Sequence, residues 1–145
     1  MQTQTGLVLL ALLHLLSSTK PFAAEAPKSN DQRVRDYVSA YNQHEVDTLL
    51  SLVSDDIQWL RVAGAKITVE TQGKLQLRES LAGYFKSAPS AKSQLEWVQV
   101  TTSRVAALER AAWQGNSGPK SKTSLSVYEF RNGLICRLYY YPAEK

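Results

Sequence analysis

The sequence predicts an α+β fold in which helices pack on one face of an antiparallel sheet. Three observations carry that expectation. Apolar residues recur with helical spacing through the first half of the chain, the spacing changes to period two after Pro89, and turn signals such as Asn132 with Gly133 separate the later runs. Helices followed by strands are the pattern of a sheet whose helices are segregated to one side. The chain has 145 residues, 43% hydrophobic and 21% charged, which fits one globular domain and excludes a disordered or fibrous chain.

Residues 6–16 read GLVLLALLHLL and are followed by Ser17, Ser18, Thr19, Lys20 and Pro21, with Ala23 and Ala24 behind them. That is the plan of a secretory signal peptide, so residues 1–24 are set aside and residues 25–145 are taken as the domain. The expected location is periplasmic or secreted. The apolar run is well short of the roughly 20 residues that cross a bilayer, so no membrane attachment is expected once the signal is removed. Losing Lys20 with the leader lowers the net charge from +4 to +3. The basic residues are scattered, which excludes the clustered footprint of nucleic-acid binding. A single cysteine, Cys136, excludes an internal disulfide and any multi-cysteine metal site. It falls in a strand pattern and reads as a small core residue.

The elements follow in order. After the polar stretch EAPKSN, Ser29 and Gln32 have capping-box spacing, and Val34, Tyr37, Val38 and Tyr41 form the apolar stripe of a helix ending near Asn42. Val46, Leu49, Leu50 and Val53 predict a second, short helix that stops at Asp55 and Asp56, read as a solvated helix-to-strand turn. IQWLRV and KITVET favour strands, with a turn at Gly64 between them. Leu77, Leu81, Tyr84 and Phe85 predict a third helix that Pro89 terminates. Strands are then expected at 94–102, 105–114, 122–131 and 134–141. Gly115, Asn116, Gly118 and Pro119 separate the second and third of these, and Asn132 with Gly133 makes a two-residue hairpin.

Chemical motifs are few. His44 lies in HEVD, which lacks the second histidine of a zinc helix motif. Two adjacent aspartates are too few ligands for Ca²⁺. No phosphate loop or nucleophile elbow is present, so neither a metal nor a cofactor is expected.

Three stretches carry a family resemblance: RDYVSAYNQHEVDTLLSLVSDDIQW at 35–59, GKLQLRESLAGYF at 73–85 and VYEFRNGLICRLYYY at 127–141. Together they resemble the nuclear transport factor 2-like superfamily and its SnoaL-like, ketosteroid-isomerase-like branch. The resemblance implies a curved sheet wrapped around three helices to form a cone with an apolar pocket. Because the superfamily hosts enzymes, binding modules and oligomerisation domains, it does not name a function.

Against ketosteroid isomerase, the resemblance puts the oxyanion-binding tyrosine at Tyr37, the aspartate base at Arg61 and the protonated aspartic acid near Ser126. Both carboxyls are therefore missing. A positioned base is worth about 10² to 10⁴ in rate, and an arginine cannot act as one at neutral pH. Glu129 is excluded as a substitute by alternation, which puts it on the face opposite Ser126 and Tyr128. Glu70 and Glu109 are not placed by the sequence.

The residues expected to line the cone are Tyr37 and Tyr41 on the first helix, Trp59 and Arg61 on the first strand, and Trp97, Trp113, Ser126 and Tyr128 on the long strands. An aromatic cavity with one arginine suits a small apolar ligand that carries an anionic oxygen. The expected function is thus an exported binder of such a ligand. The alternatives are an isomerase, dehydratase or cyclase using an unidentified carboxylate, and a homodimerisation or partner-binding module.

Overall fold

Among the described residues, six strands form one sheet in the order β2-β1-β6-β5-β4-β3. The computed structural model describes residues 27–143. The export signal expected over residues 1–24 lies outside the described residues. The elements are α1 (Asn30–Gln43), α2 (Val46–Ser51), β1 (Val53–Ala63), β2 (Lys66–Gln72), α3 (Gly73–Ser87), β3 (Lys92–Val100), β4 (Arg104–Gly115), β5 (Gly118–Arg131) and β6 (Leu134–Tyr141). All strand pairs are antiparallel except β1 with β6, which run parallel.

Helix α1 starts where Ser29 accepts the Gln32 N–H at 3.2 Å, an N-cap bond that satisfies one of the orphan amides of the first turn. It ends at His44, which adopts a left-handed φ of 59° so that the His44 and Glu45 amides bond back to Tyr41 and Ala40. The stripe Val34, Tyr37 and Val38 is buried, as is Leu77, Leu81 and Phe85 on α3. Both stripes meet Val105, Ala107, Tyr128, Ile135 and Leu138 of the sheet in one core cluster. Each fully buried aliphatic or aromatic side chain there contributes about 1.5–3 kcal/mol.

Asp55 and Asp56 correct the expected turn. Strand β1 already begins at Val53, which is buried and registered with Ile135, so both aspartates stand within the strand. Their side chains reach solvent and pair with Lys74 and Arg131. The β4–β5 hairpin is also tighter than expected. Gly115 pairs with Gly118, leaving Asn116 and Ser117 as a two-residue loop and drawing Pro119 into β5.

One-residue β-bulges on β2, β3 and β6 curve the sheet and set which side chains face its helical side. On β2, Glu70 is the extra residue between Thr71, opposite Trp59, and Val69, opposite Leu60. On β3, Glu96 is extra between Leu95, opposite Glu109, and Trp97, opposite Leu108. On β6, Cys136 is extra between Ile135, opposite Phe130, and Arg137, opposite Glu129. Each bulge bends its strand and shifts the alternation of side chains beyond it.

Candidate functional site

The concave face of the sheet, the inner stripe of α1 and one side of α3 enclose a cavity of about 480 Å³. Strand parity decides what the long strands place on its wall. From β4 come Glu109 and Ala111, from β5 Ser124, Ser126 and Tyr128, and from β6 Leu138 and Tyr140. Their register confirms a shared face, because Glu109 opposes Ser124, Ala107 opposes Ser126, and Tyr128 opposes Leu138.

The polar centre of the wall is Glu109. Tyr128 donates its phenolic O–H to Glu109 Oε1 at 2.6 Å, and Ser93 on β3 donates to Oε2 at 2.8 Å. Hydrogen bonds to a charged acceptor are short and strong. Tyr37 packs edge-on against Tyr128, with ring centroids 5.9 Å apart at 69°. Burial pushes the Tyr128 phenol well above its ordinary value, and the adjacent Glu109 charge adds to that shift. Tyr37 is raised for the same two reasons in the same order. Tyr41 is raised by burial first and then by Tyr84 beside it. These phenols therefore stay protonated at neutral pH and serve as donors and apolar rings.

A second carboxylate, Glu70, stands at the exposed mouth. As the extra residue of the β2 bulge it faces the cavity together with its neighbour Thr71, a place that strict alternation would deny to one of them.

Of the residues expected at the site, Tyr37, Tyr41, Trp59, Ser126 and Tyr128 line this cavity. Arg61, Trp97 and Trp113 do not, and each has a physical reason. Arg61 keeps the parity of Trp59 but lies two residues closer to the β1–β2 turn, exposed beyond the rim. The expected cationic anchor is therefore absent from the wall. Trp97 follows the Glu96 bulge, which turns it to the convex face, where it is 49% exposed. Trp113 shares the parity of Glu109 and Ala111, but it lies nearer the hairpin tip, opposite Lys120.

Glu129 stands on the outer face as alternation requires, between Arg104 and Arg137 at 3.4 Å each. Sequence reasoning did not place Glu70 or Glu109 and passed over Ser93 and Tyr84 as lining residues; it expected the cluster Tyr139 to Tyr141 at the pocket without its parity, and Tyr140 is the member that lines the wall. A signal for Glu109 was present. With Asn116 and Ser117 as the loop, counting outward sets Glu109 opposite Ser124 and on the face of Ser126. Among the described residues, no group of three or more His, Cys, Asp or Glu side chains is arranged to hold a metal ion.

The family model for the SnoaL-like domain matches residues 34–138. No curated protein is a significant match to the chain. Among solved structures, an uncharacterized cystatin-fold protein from Novosphingobium aromaticivorans is similar, with a TM-score of 0.68 and 22% identity over 78% of this chain and 97% of that one. A ketosteroid isomerase-like fold from Catenulispora acidiphila, in complex with trimethylamine, matches with a TM-score of 0.67 and 12% identity over 79% of this chain and 88% of that one. TerC, co-crystallised with polyporic acid, matches with a TM-score of 0.65 and 13% identity over 79% and 91% respectively.

Proposed function

The chain belongs to the SnoaL-like domain family, and from that premise we propose that its cone binds a small apolar ligand whose polar group meets Glu109. One observation carries this reading: a carboxylate fixed by Tyr128 and Ser93 stands on the wall of a cavity whose tyrosine rings, Trp59 and aliphatic side chains are interrupted by a few hydroxyls and by Glu70. A concave, mostly apolar site with a few convergent polar groups is the usual form of a small-molecule site. The leader read at residues 1–24 supports action outside the cytoplasm.

A second reading is favoured by the same carboxylate. Glu109 supplies the acidic group that Arg61 and Ser126 do not, so the cone has a candidate proton acceptor for isomerase, dehydratase or cyclase chemistry. Tyr37, a neutral phenol on the same wall, would then hold a developing oxyanion.

The test uses a neutral fluorescent probe, N-phenyl-1-naphthylamine, and the variant Ala111→Phe, which places a ring in the cavity. Wild-type protein should bind the probe and enhance its emission, and a folded A111F should lose most of that signal. Equal binding by both would place the probe elsewhere and remove the support for the cone as a site. In a panel of enolisable ketones, the catalytic reading requires an activity that Glu109→Gln lowers by about 10² to 10⁴. Absence of any Glu109-dependent turnover leaves binding alone.

A further inference from the structure

Resting on the binding reading above, we infer that the cone selects an apolar ligand with a cationic head, a substituted amine or quaternary ammonium. Among the described residues, the wall carries five tyrosines and Trp59, two carboxylates, and no lysine, arginine or histidine. That distribution runs against the composition of the chain, which has 17 basic residues to 13 acidic ones.

The carboxylates of the cavity also differ from most others. Seven acidic residues elsewhere take a lysine or arginine partner. Among the described residues, neither Glu70 nor Glu109 is in an ion pair. Both hydroxyl donors on Glu109 are neutral, one to each oxygen, so its charge is solvated but not compensated. Each carboxylate oxygen retains acceptor capacity, and a cation entering the cone supplies the missing countercharge.

The rings act in the same direction. An aromatic face carries negative quadrupole density and attracts an ammonium group, most strongly where water is displaced. An anionic head would meet Glu109 with no cation on the wall to offset the repulsion, and the Tyr128 hydroxyl is already committed to Glu109. The two acids also lie at different depths. Glu70, turned inward by its bulge, is at the open mouth, where a charge draws a cation toward the entrance, and Glu109 is on the inner wall.

Three probes of one shape and different charge decide the matter: phenyltrimethylammonium, its neutral carbon analogue tert-butylbenzene, and benzenesulfonate. Dissociation constants are read at pH 7 from the tryptophan fluorescence of the purified protein. The cation should bind at least about tenfold tighter than tert-butylbenzene, with benzenesulfonate weakest. That preference should collapse in Glu109→Gln. In Glu70→Gln, at an exposed position that does not bear on folding, the cation should weaken by about threefold. If tert-butylbenzene or benzenesulfonate binds as tightly as the cation, the charge assignment is overturned and the cone remains a binding site. If none of the three binds, the binding reading falls with it.

Discussion

Burial and the neighbouring Glu109 together hold Tyr128 in its neutral, donating state, and a neutral phenol is the donor the carboxylate needs. Removing that donor in Tyr128→Phe leaves one Glu109 oxygen without its bond and should lower stability by about 1–3 kcal/mol in urea unfolding at pH 7. A pH signature separates this pair from simple packing. Tyr37 and Tyr128 are both buried with phenols raised above the ordinary 10.0. A raised value means the folded state retains protons that the unfolded state releases, so the stabilisation is complete below pH 10 and declines as pH rises above it. Each of the two contributes a slope of up to about 1.4 kcal/mol per pH unit there. Tyr128→Phe should therefore show a shallower alkaline decline than the wild type, by about one proton. Identical slopes would show that Tyr128 ionises as freely in the folded chain as in the unfolded one.

At the level of elements, the helices and the last four strands were legible because their signals are local. The stripe Val34, Tyr37, Val38 and Tyr41 and the Asn132 with Gly133 turn state their structures outright. Bulges have no such signal. Glu70 and Glu96 differ little from neighbouring polar residues, yet one puts a carboxylate into the cavity and the other takes Trp97 out of it. Strand β4 was ambiguous for another reason: Val105, Ala107 and Ala111 on one face are matched by Ala106, Leu108 and Ala112 on the other, so neither face announced itself and Glu109 stayed unplaced. Where the turn is well specified, its chemistry can be tested. Asn132 and Gly133 have φ of 52° and 74°, the pattern of a type I′ hairpin. A Cβ at Gly133 would sit 3.1 Å from the mobile end of Arg33, which can move aside, but the left-handed backbone remains. Gly133→Ala should cost about 1–2 kcal/mol, seen as a lower urea midpoint with an unchanged slope. A midpoint equal to the wild type's would show that the turn relaxes to another type.

For the whole molecule, the convex side of the sheet is as informative as the cone. Trp97, Leu108, Leu125 and Tyr141 lie directly opposite one another across four adjacent strands. Three of them are well exposed, at 49%, 37% and 36% for Trp97, Leu125 and Tyr141. We propose that this continuous apolar row is an interaction face. The charged side chains around it are paired within the same chain, Arg110 with Glu96 and Glu129 with Arg104 and Arg137. A surface whose charges are already paired within the chain offers few free partners to a strongly charged molecule, which favours self-association about a two-fold axis. A stable pair needs roughly 800 Å² from each subunit, an area that a four-strand face can supply. The purified protein should therefore sediment at twice the chain mass at micromolar concentration. Leu125→Lys, which puts a charge at the middle of the row, should sediment as a monomer with unchanged circular dichroism. Because Leu125 points away from Ser124 and Ser126, the monomer should bind phenyltrimethylammonium as the wild type does. A wild-type protein that sediments as a monomer would leave the convex face without a second copy, and a monomeric variant that loses the ligand would mean that the cone is completed only in the pair.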